Sequence, residues 1–220
     1  MYPKKDSIII SYVYFYRYKL IYKIDHMEDN KYSSLNSMQV AAEADPFTIE
    51  RYVQFTKHFK PNTRTVLDIG CANGRGGFVL KEKHPDISLH GLDVVAERIA
   101  QIEQLKLYDK LYVASATNIP VEDSAFNAVV AGEFIEHIAP DDVDNVLKEL
   151  YRVLMDGGVL FLTTPNPDAI LVKMGRDSVI KDPAHLSVMK RAELKDRLAA
   201  IGFKNIAIKG SEKATRVFGQ

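Results

Sequence analysis

Asp68, Gly70, Gly74 and Gly76 stand in the order Asp-x-Gly-x-x-x-Gly-x-Gly within Val66-Leu67-Asp68-Ile69-Gly70-Cys71-Ala72-Asn73-Gly74-Arg75-Gly76-Gly77. An apolar run that turns on glycines lets the backbone approach a ligand that side chains would hold away, and a helix starting there points its unpaired N–H groups at that ligand. A nucleotide-like cofactor suits this spacing. The dinucleotide fingerprint needs glycine at its first, third and sixth places, but counted from Gly70 those places hold Gly70, Ala72 and Arg75, so it fails. Asp93 ends the next expected strand, 88–92, where a carboxylate can accept both hydroxyls of a ribose. Further on, Glu133, Glu136 and His137 stand at i, i+3 and i+4, which on a helix shares one face, and His185 closes Asp182-Pro183-Ala184-His185. Carboxylates and imidazoles move protons near neutral pH and also bind transition metals.

Periodicity and punctuation show which elements must hold these residues. Asp45-Pro46 supplies an N-cap and first-turn proline for a helix to about residue 59, with Tyr52, Phe55, Thr56 and Phe59 along one side. Short apolar strands are expected at 65–69, 88–92, 111–115, 127–131, 159–164 and 203–208. Helices are expected between them at 75–83, 96–105, 140–154 and 191–200, with Gly157-Gly158 closing the third of these and Gly202 capping the last. Such alternation requires crossovers. It predicts an α/β fold, a doubly wound, mostly parallel sheet with helices on both faces and ligands at the carboxyl ends of the strands.

Several segments agree in type and order with one family. They are the glycine turn, Gly91-Leu92-Asp93, Phe126-Asn127-Ala128-Val129-Val130-Ala131-Gly132-Glu133, Glu136-His137-Ile138, Leu150-Tyr151-Arg152-Val153-Leu154 with Gly157-Gly158, and Thr163-Thr164-Pro165-Asn166. Over roughly residues 60–210 the chain resembles the class I S-adenosylmethionine-dependent methyltransferases. The resemblance implies a Rossmann-like sheet of seven strands with one antiparallel near its edge, which the tail 214–218 would have to supply after a turn through Gly210-Ser211. It implies S-adenosylmethionine as cofactor and S-adenosylhomocysteine as product, with contacts from Asp68, Gly70, Cys71, Ala72, Gly74, Asp93, Val94, Ser115, Ala116, Thr117 and Gly132. Where family members commonly carry an acid for the adenine amino group this chain has Ser115, a weaker acceptor. Asn127 stands where Asp is frequent, at a position that more often serves packing and turns.

An activated sulfonium donor asks the protein chiefly to hold an acceptor atom in line and exclude water. A hydroxyl acceptor must also lose a proton, and His137, Glu133 and His185 are the candidate catalytic residues. An imidazole base would make activity rise through about pH 6.5. The segment 165–190 is long enough to cover a substrate. Glu133, Glu136, His137 and His185 also resemble the metal site of small-RNA 2′-O-methyltransferases, which makes a metal-dependent RNA methyltransferase a lesser alternative. Glu-His-Ile occurs widely in the family without metal, however, and the chain offers no dedicated RNA-binding domain, so no metal and no nucleic acid are expected. Residues 173–220 carry eleven Lys and Arg against five acids. Solvated helix faces explain this excess, and so does a basic lid over an anionic substrate. The expected function is methyl transfer to a small polar acceptor, anionic acceptors included, such as a sugar, nucleotide-linked sugar or other metabolite. The alternative is a methyltransferase-like cofactor-binding protein that serves as a regulator or partner without catalysis.

Composition agrees with an ordinary globular chain. Among 220 residues, 46% are hydrophobic and 26% charged, which excludes disorder and collagen-like or coiled-coil classes, and 29 basic residues balance 29 acidic ones, leaving no overall field toward nucleic acid or an anionic bilayer. The single cysteine, Cys71, fits a reducing compartment, and a cytoplasmic location is expected. Six of the eleven tyrosines fall in residues 1–26, and every even position from Ile8 to Ile24 is apolar or aromatic, which is strand periodicity. The apolar run 8–16 is too short to span a bilayer. Residues 1–26 are therefore either a tyrosine-rich strand or hairpin extension or a stretch upstream of a natural start at Met27, and 27–220 form a single methyltransferase domain.

Overall fold

A computed structural model describes residues 8–12, 47–175, 177 and 180–210. The elements are β1 (Ile8–Tyr12), α1 (Phe47–Thr56), β2 (Thr65–Ile69), α2 (Arg75–Lys83), β3 (Ser88–Asp93), α3 (Ala96–Glu103), β4 (Lys110–Val113), β5 (Phe126–Gly132), α4 (Val143–Val153), β6 (Leu154–Thr163), α5 (Ile170–Lys173), α6 (Arg191–Ile201) and β7 (Ile206–Gly210). Two 3₁₀ turns, Ile135–His137 and Pro140–Asp142, separate β5 from α4.

Alternation along the central strands divides the core in two. Leu67 and Ile69 of β2, Val129 and Ala131 of β5, and Leu160 and Leu162 of β6 face Val146, Leu147 and Leu150 of α4 and Leu194 and Leu198 of α6. Their neighbours Val66, Ala128, Val130, Val159 and Phe161 face Tyr52 and Phe55 of α1 and Val79 and Leu80 of α2. Strands buried on both faces must read as continuous apolar runs, as these do. Each such side chain removed from water contributes about 1.5–3 kcal/mol.

The sheet runs β4-β3-β2-β5-β6-β1-β7, and each described pairing is parallel. From β2 the chain winds outward through β3 and β4, then crosses back to place β5 on the other side of β2, with Asp68 opposite Val130. The winding reverses between these two strands, so their carboxyl ends diverge into a crevice.

Several boundaries differ from the sequence expectations. Helix α4 ends at Val153, and Gly157-Gly158 lie inside β6 instead of closing the helix. Phe126 pairs with Leu154 but Ala128 pairs with Val159, so the intervening residues bulge, with Gly157 at φ 73°. β4 spans 110–113 and not 111–115, because the Ala114 N–H donates to the Asp93 carbonyl and Ser115 turns onto Thr117. The last strand begins at Ile206, because Phe203 is drawn into the core against Tyr151. Gly202 caps α6 as expected, at φ 120°. The tail 214–218 lies outside the described residues, as do residues 13–24 of the tyrosine-rich segment. Residues 8–12 form a strand that pairs with β6 on one side and β7 on the other. Among the described residues, no helix is long and apolar enough to cross a membrane.

Removing β1 leaves β6 and β7 without the strand between them. A chain beginning at Met27 is expected to unfold roughly 6–12 °C below the full chain, taking a loss of about 3 kcal/mol at 2–4 °C per kcal/mol for a chain of this size. Calorimetry on both chains checks this, and coincident melting curves would contradict a structural role for β1.

Candidate functional site

The sequence-predicted cofactor residues gather at the carboxyl ends of four neighbouring strands. Asp68 lies within β2 and Gly70, Cys71, Ala72 and Gly74 follow it; Asp93 ends β3 beside Val94; Ser115, Ala116 and Thr117 follow β4; Gly132 ends β5. Gly70 (φ 68°), Ala72 (φ 45°) and Gly74 (φ 78°) are left-handed, which curls the turn over the end of β3. The Gly70 and Cys71 N–H groups both donate to the Leu92 carbonyl, at 2.8 and 3.1 Å. Asp93 holds the same turn. Its Oδ2 accepts the Ala72 N–H at 3.0 Å and its Oδ1 accepts the Val95 N–H at 2.9 Å. Each oxygen keeps a second lone-pair site, so this carboxylate can still receive ribose hydroxyls. Ser115 is bonded within its own turn, 2.8 Å from the Thr117 hydroxyl and accepting the Thr117 N–H at 3.2 Å.

Tertiary structure adds three residues that the local pattern did not mark. Asp68 is wholly buried and accepts hydrogen bonds from the Tyr52 and Tyr108 hydroxyls, both at 2.7 Å. Burial pushes its pKa up to about 7; the two phenols oppose that rise and Asp93 adds to it. A Cβ on Gly76 would collide with the Tyr52 ring and one on Gly77 with Tyr108. These two glycines therefore admit the aromatic rings that bond Asp68, a reason for the glycine run beyond ligand approach. The third residue is Arg51. It is buried beside Tyr52 with its Nε 3.7 Å from Glu133 Oε1, and a Cβ on Gly132 would press on both Arg51 and Tyr52. Tyr52 reads in sequence only as part of an apolar helix face, and nothing local marks its phenol as a partner for a strand 16 residues away.

Beyond β5 the expected helical spacing does not form. Glu133 is left-handed at φ 52°, fixed by its N–H donating to the Thr163 carbonyl and hydroxyl at 3.0 and 2.9 Å. The 3₁₀ turn starts only at Ile135, so Glu133 does not share a helix face with Glu136 and His137. Phe134 crosses to Gly70, where a Cβ would lie 3.0 Å from its ring, and this joins the turn after β5 to the turn after β2.

The segment 165–190 folds back onto this 3₁₀ turn. Ser187 N–H donates to the Glu136 carbonyl at 2.9 Å, its hydroxyl donates to the Ile138 carbonyl at 2.6 Å, and His137 Nδ1 lies 3.0 Å from the Ala184 carbonyl. A carbonyl only accepts, so Nδ1 carries the proton and Nε2 of the neutral ring carries the lone pair. The contacts bring His185 to His137, ring centroids 4.9 Å apart. Burial, reinforced by His185, lowers the His137 pKa to about 4, so this ring is neutral at pH 7 and does not titrate near 6.5. Glu136 is completely buried, and burial followed by the nearby Glu133 charge raises its pKa well above the usual carboxyl range. Of the basic residues expected near the site, Arg197 is paired with Asp144 and Glu193 and Lys181 with Asp177. Arg176, Lys213 and Arg216 lie outside the described residues.

The arrangement is that of a class I methyltransferase, with a glycine turn and ribose-type carboxylate on one side of the crevice and an acid and imidazole group on the other. Residues 42–208 match the model of the methyltransferase domain family. The chain belongs to that family, and S-adenosylmethionine is the cofactor of its class. A Mycolicibacterium smegmatis protein described as a probable S-adenosylmethionine-dependent methyltransferase is 29% identical over 64% of this chain and 52% of its own length. The mouse mitochondrial ubiquinone biosynthesis O-methyltransferase is 33% identical over 50% of this chain and 31% of its own. The match thus spans about half or less of these relatives. A crystal structure of a methyltransferase dependent on the same cofactor from Archaeoglobus fulgidus superposes with a TM-score of 0.62 at 23% identity, covering 72% of this chain and 69% of that one, and shares its fold.

Folded Asp68 keeps its proton between about pH 4 and 7, where the unfolded chain, with the ordinary value of 3.8, has released it. The stability this supplies is complete below pH 3.8 and is lost as pH rises through about 7, a change of roughly 4 kcal/mol at 1.36 kcal/mol per unit. Asp68→Asn stays neutral. The unfolding free energy of the parent minus that of Asp68→Asn, from urea titrations, is therefore expected to fall steadily from pH 4 to pH 8, and a difference independent of pH would contradict this.

Proposed function

We propose that this protein transfers the methyl group of S-adenosylmethionine to a hydroxyl oxygen of a small-molecule acceptor seated at the carboxyl ends of β5 and β6. The observation that carries this reading is the pairing of His137 with His185 beside Glu136, one strand away from the glycine turn. The residues present suit the cofactor. Gly70 to Gly74 form a backbone cradle for its aminoacyl part, Asp93 retains acceptor sites for the ribose, and the turn 115–117 borders the adenine. When bound, S-adenosylmethionine supplies a sulfonium methyl; transfer breaks the methyl–sulfur bond, returns its electron pair to sulfur and leaves S-adenosylhomocysteine.

The chain's own residues hold and dry the reacting groups. α1 roofs the crevice through Tyr52 and Arg51, and the segment 184–187 closes it from the other side. The imidazole pair activates the acceptor oxygen, with His137 held in one tautomer by Ala184. Glu133, paired with Arg51, borders the same space and orients the acceptor. The name of the mouse relative denotes O-methylation in ubiquinone biosynthesis. This supports phenolic acceptors as the first class to assay, ahead of sugar and nucleotide-sugar hydroxyls.

Incubation with methyl-labelled S-adenosylmethionine and a panel of phenolic and sugar hydroxyl acceptors tests the proposal. His137→Ala and His185→Ala are expected to lose about 100-fold or more in turnover while cofactor affinity changes little. Unchanged turnover in both variants would overturn it. Asp93→Ala is expected to weaken cofactor binding by about 10- to 100-fold for each charge-assisted hydrogen bond lost, and calorimetric affinity equal to the parent would remove Asp93 from the site.

A further inference from the structure

Between β4 and β5 the chain crosses from the sheet edge past β3 and β2, and residues 114–125 do this through turns instead of a helix. Backbone groups in such a crossing need partners from elsewhere, and α4 supplies them. Asn145 Nδ2 donates to the Thr117 carbonyl at 2.9 Å, and Glu149 Oε2 accepts the Ile119 N–H at 2.8 Å. Arg152 donates through Nη2 to the Ile119 carbonyl at 2.9 Å and through Nη1 to the Val121 carbonyl and Asp123 Oδ1, both at 2.8 Å. The last carbonyls of the helix, at Arg152 and Val153, accept the Ser124 and Ala125 N–H groups at 2.9 Å each.

Arg152 joins these contacts. Its Nε and Nη2 also donate to Glu149 Oε1 and Oε2, at 2.7 and 2.8 Å, so all five guanidinium N–H groups are engaged. The same pairing holds the Glu149 carboxyl below its usual range, so it stays ionised. A lysine ammonium is a point charge and could not span Ile119, Val121 and Glu149 together. The base of this clamp is fixed, because Val146, Leu147, Leu150 and Val153 of α4 are wholly buried in the core.

What the clamp holds begins with the turn 115–117. A carboxylate there would attract the adenine amino group strongly, but Ser115 and the backbone around it are neutral, and weaker groups select a ligand only when they are held in place beforehand. We infer that Asn145, Glu149 and Arg152 are positioning residues for the cofactor, which act through the stretch 117–123 to fix the turn 115–117 against the adenine and so set the preference for that base. The inference rests on the reading in which this turn borders the adenine.

Calorimetry on the full chain with two ligands tests it. One is S-adenosylhomocysteine and the other its analogue with hypoxanthine in place of adenine, which presents a donor where adenine accepts and an acceptor where adenine donates. The parent is expected to prefer the adenine ligand by at least about 10-fold. Glu149→Gln and Arg152→Lys are each expected to lose about 10-fold in affinity for S-adenosylhomocysteine but no more than about 3-fold for the analogue, since the analogue already forgoes the contacts that the clamp aligns. Asn145→Ala, which removes one neutral hydrogen bond at an exposed position, is expected to shift the preference the same way by about 3-fold. If the other two variants fail to fold, Asn145→Ala decides. A purely structural role would weaken both ligands alike. Equal losses, or affinities that match the parent's, would overturn the inference and leave the cofactor placement standing. A parent that binds both ligands equally would overturn the adenine placement and the inference with it.

Discussion

Burying a carboxyl group costs several kcal/mol unless something compensates it, and this fold does so on two adjacent strands, at Asp68 of β2 and at Glu136 just beyond β5. How each is compensated fixes the shape of the crevice. Asp68 draws in two phenols, and those phenols come from α1 and from the stretch before β4, so one buried acid ties the roof and the flank of the site to the central strand. Without glycine at 76 and 77 the two rings could not enter. Glu136 has no comparable hydrogen-bond partner among the described residues, and its burial is met instead by a raised pKa that favours the neutral acid.

The reversal of winding between β2 and β5 makes the two arrangements meet. Phe134 reaching Gly70 is the physical contact between them, and Arg51 with Tyr52 spans the gap from above. On the proposed reading, cofactor side and acceptor side are consequently one structure. A change in the α1 helix is felt both at Asp68, through Tyr52, and at Glu133, through Arg51.

The central strands and helices were legible in the sequence because burial on both faces leaves an apolar run with glycine or proline at its ends. Residues 65–69 and 75–83 are the clearest cases. Gly157-Gly158 misled because a glycine pair after a helix resembles a cap, whereas the pairing of Phe126 with Leu154 starts the strand early and turns the glycines into a bulge. The i, i+3, i+4 spacing of Glu133, Glu136 and His137 misled in the same way. Helical geometry was assumed where the Thr163 contacts hold Glu133 left-handed, yet Glu136 and His137 do meet His185. Tyr52, Tyr108 and Arg51 were illegible as site residues because their partners are far along the chain. The left-handed glycine turn and Asp93 were visible because their chemistry is local.

The central claim is that the cofactor's sulfur lies between the glycine turn and the Glu136, His137 and His185 group, with room for one methyl and one acceptor atom between them. A crystal structure of the full chain with S-adenosylhomocysteine measures this directly. The account predicts the ribose on Asp93, the amino acid part over Gly70 to Gly74 and the sulfur facing the two imidazoles. A sulfur directed away from that group, or a product bound elsewhere on the sheet, would contradict it.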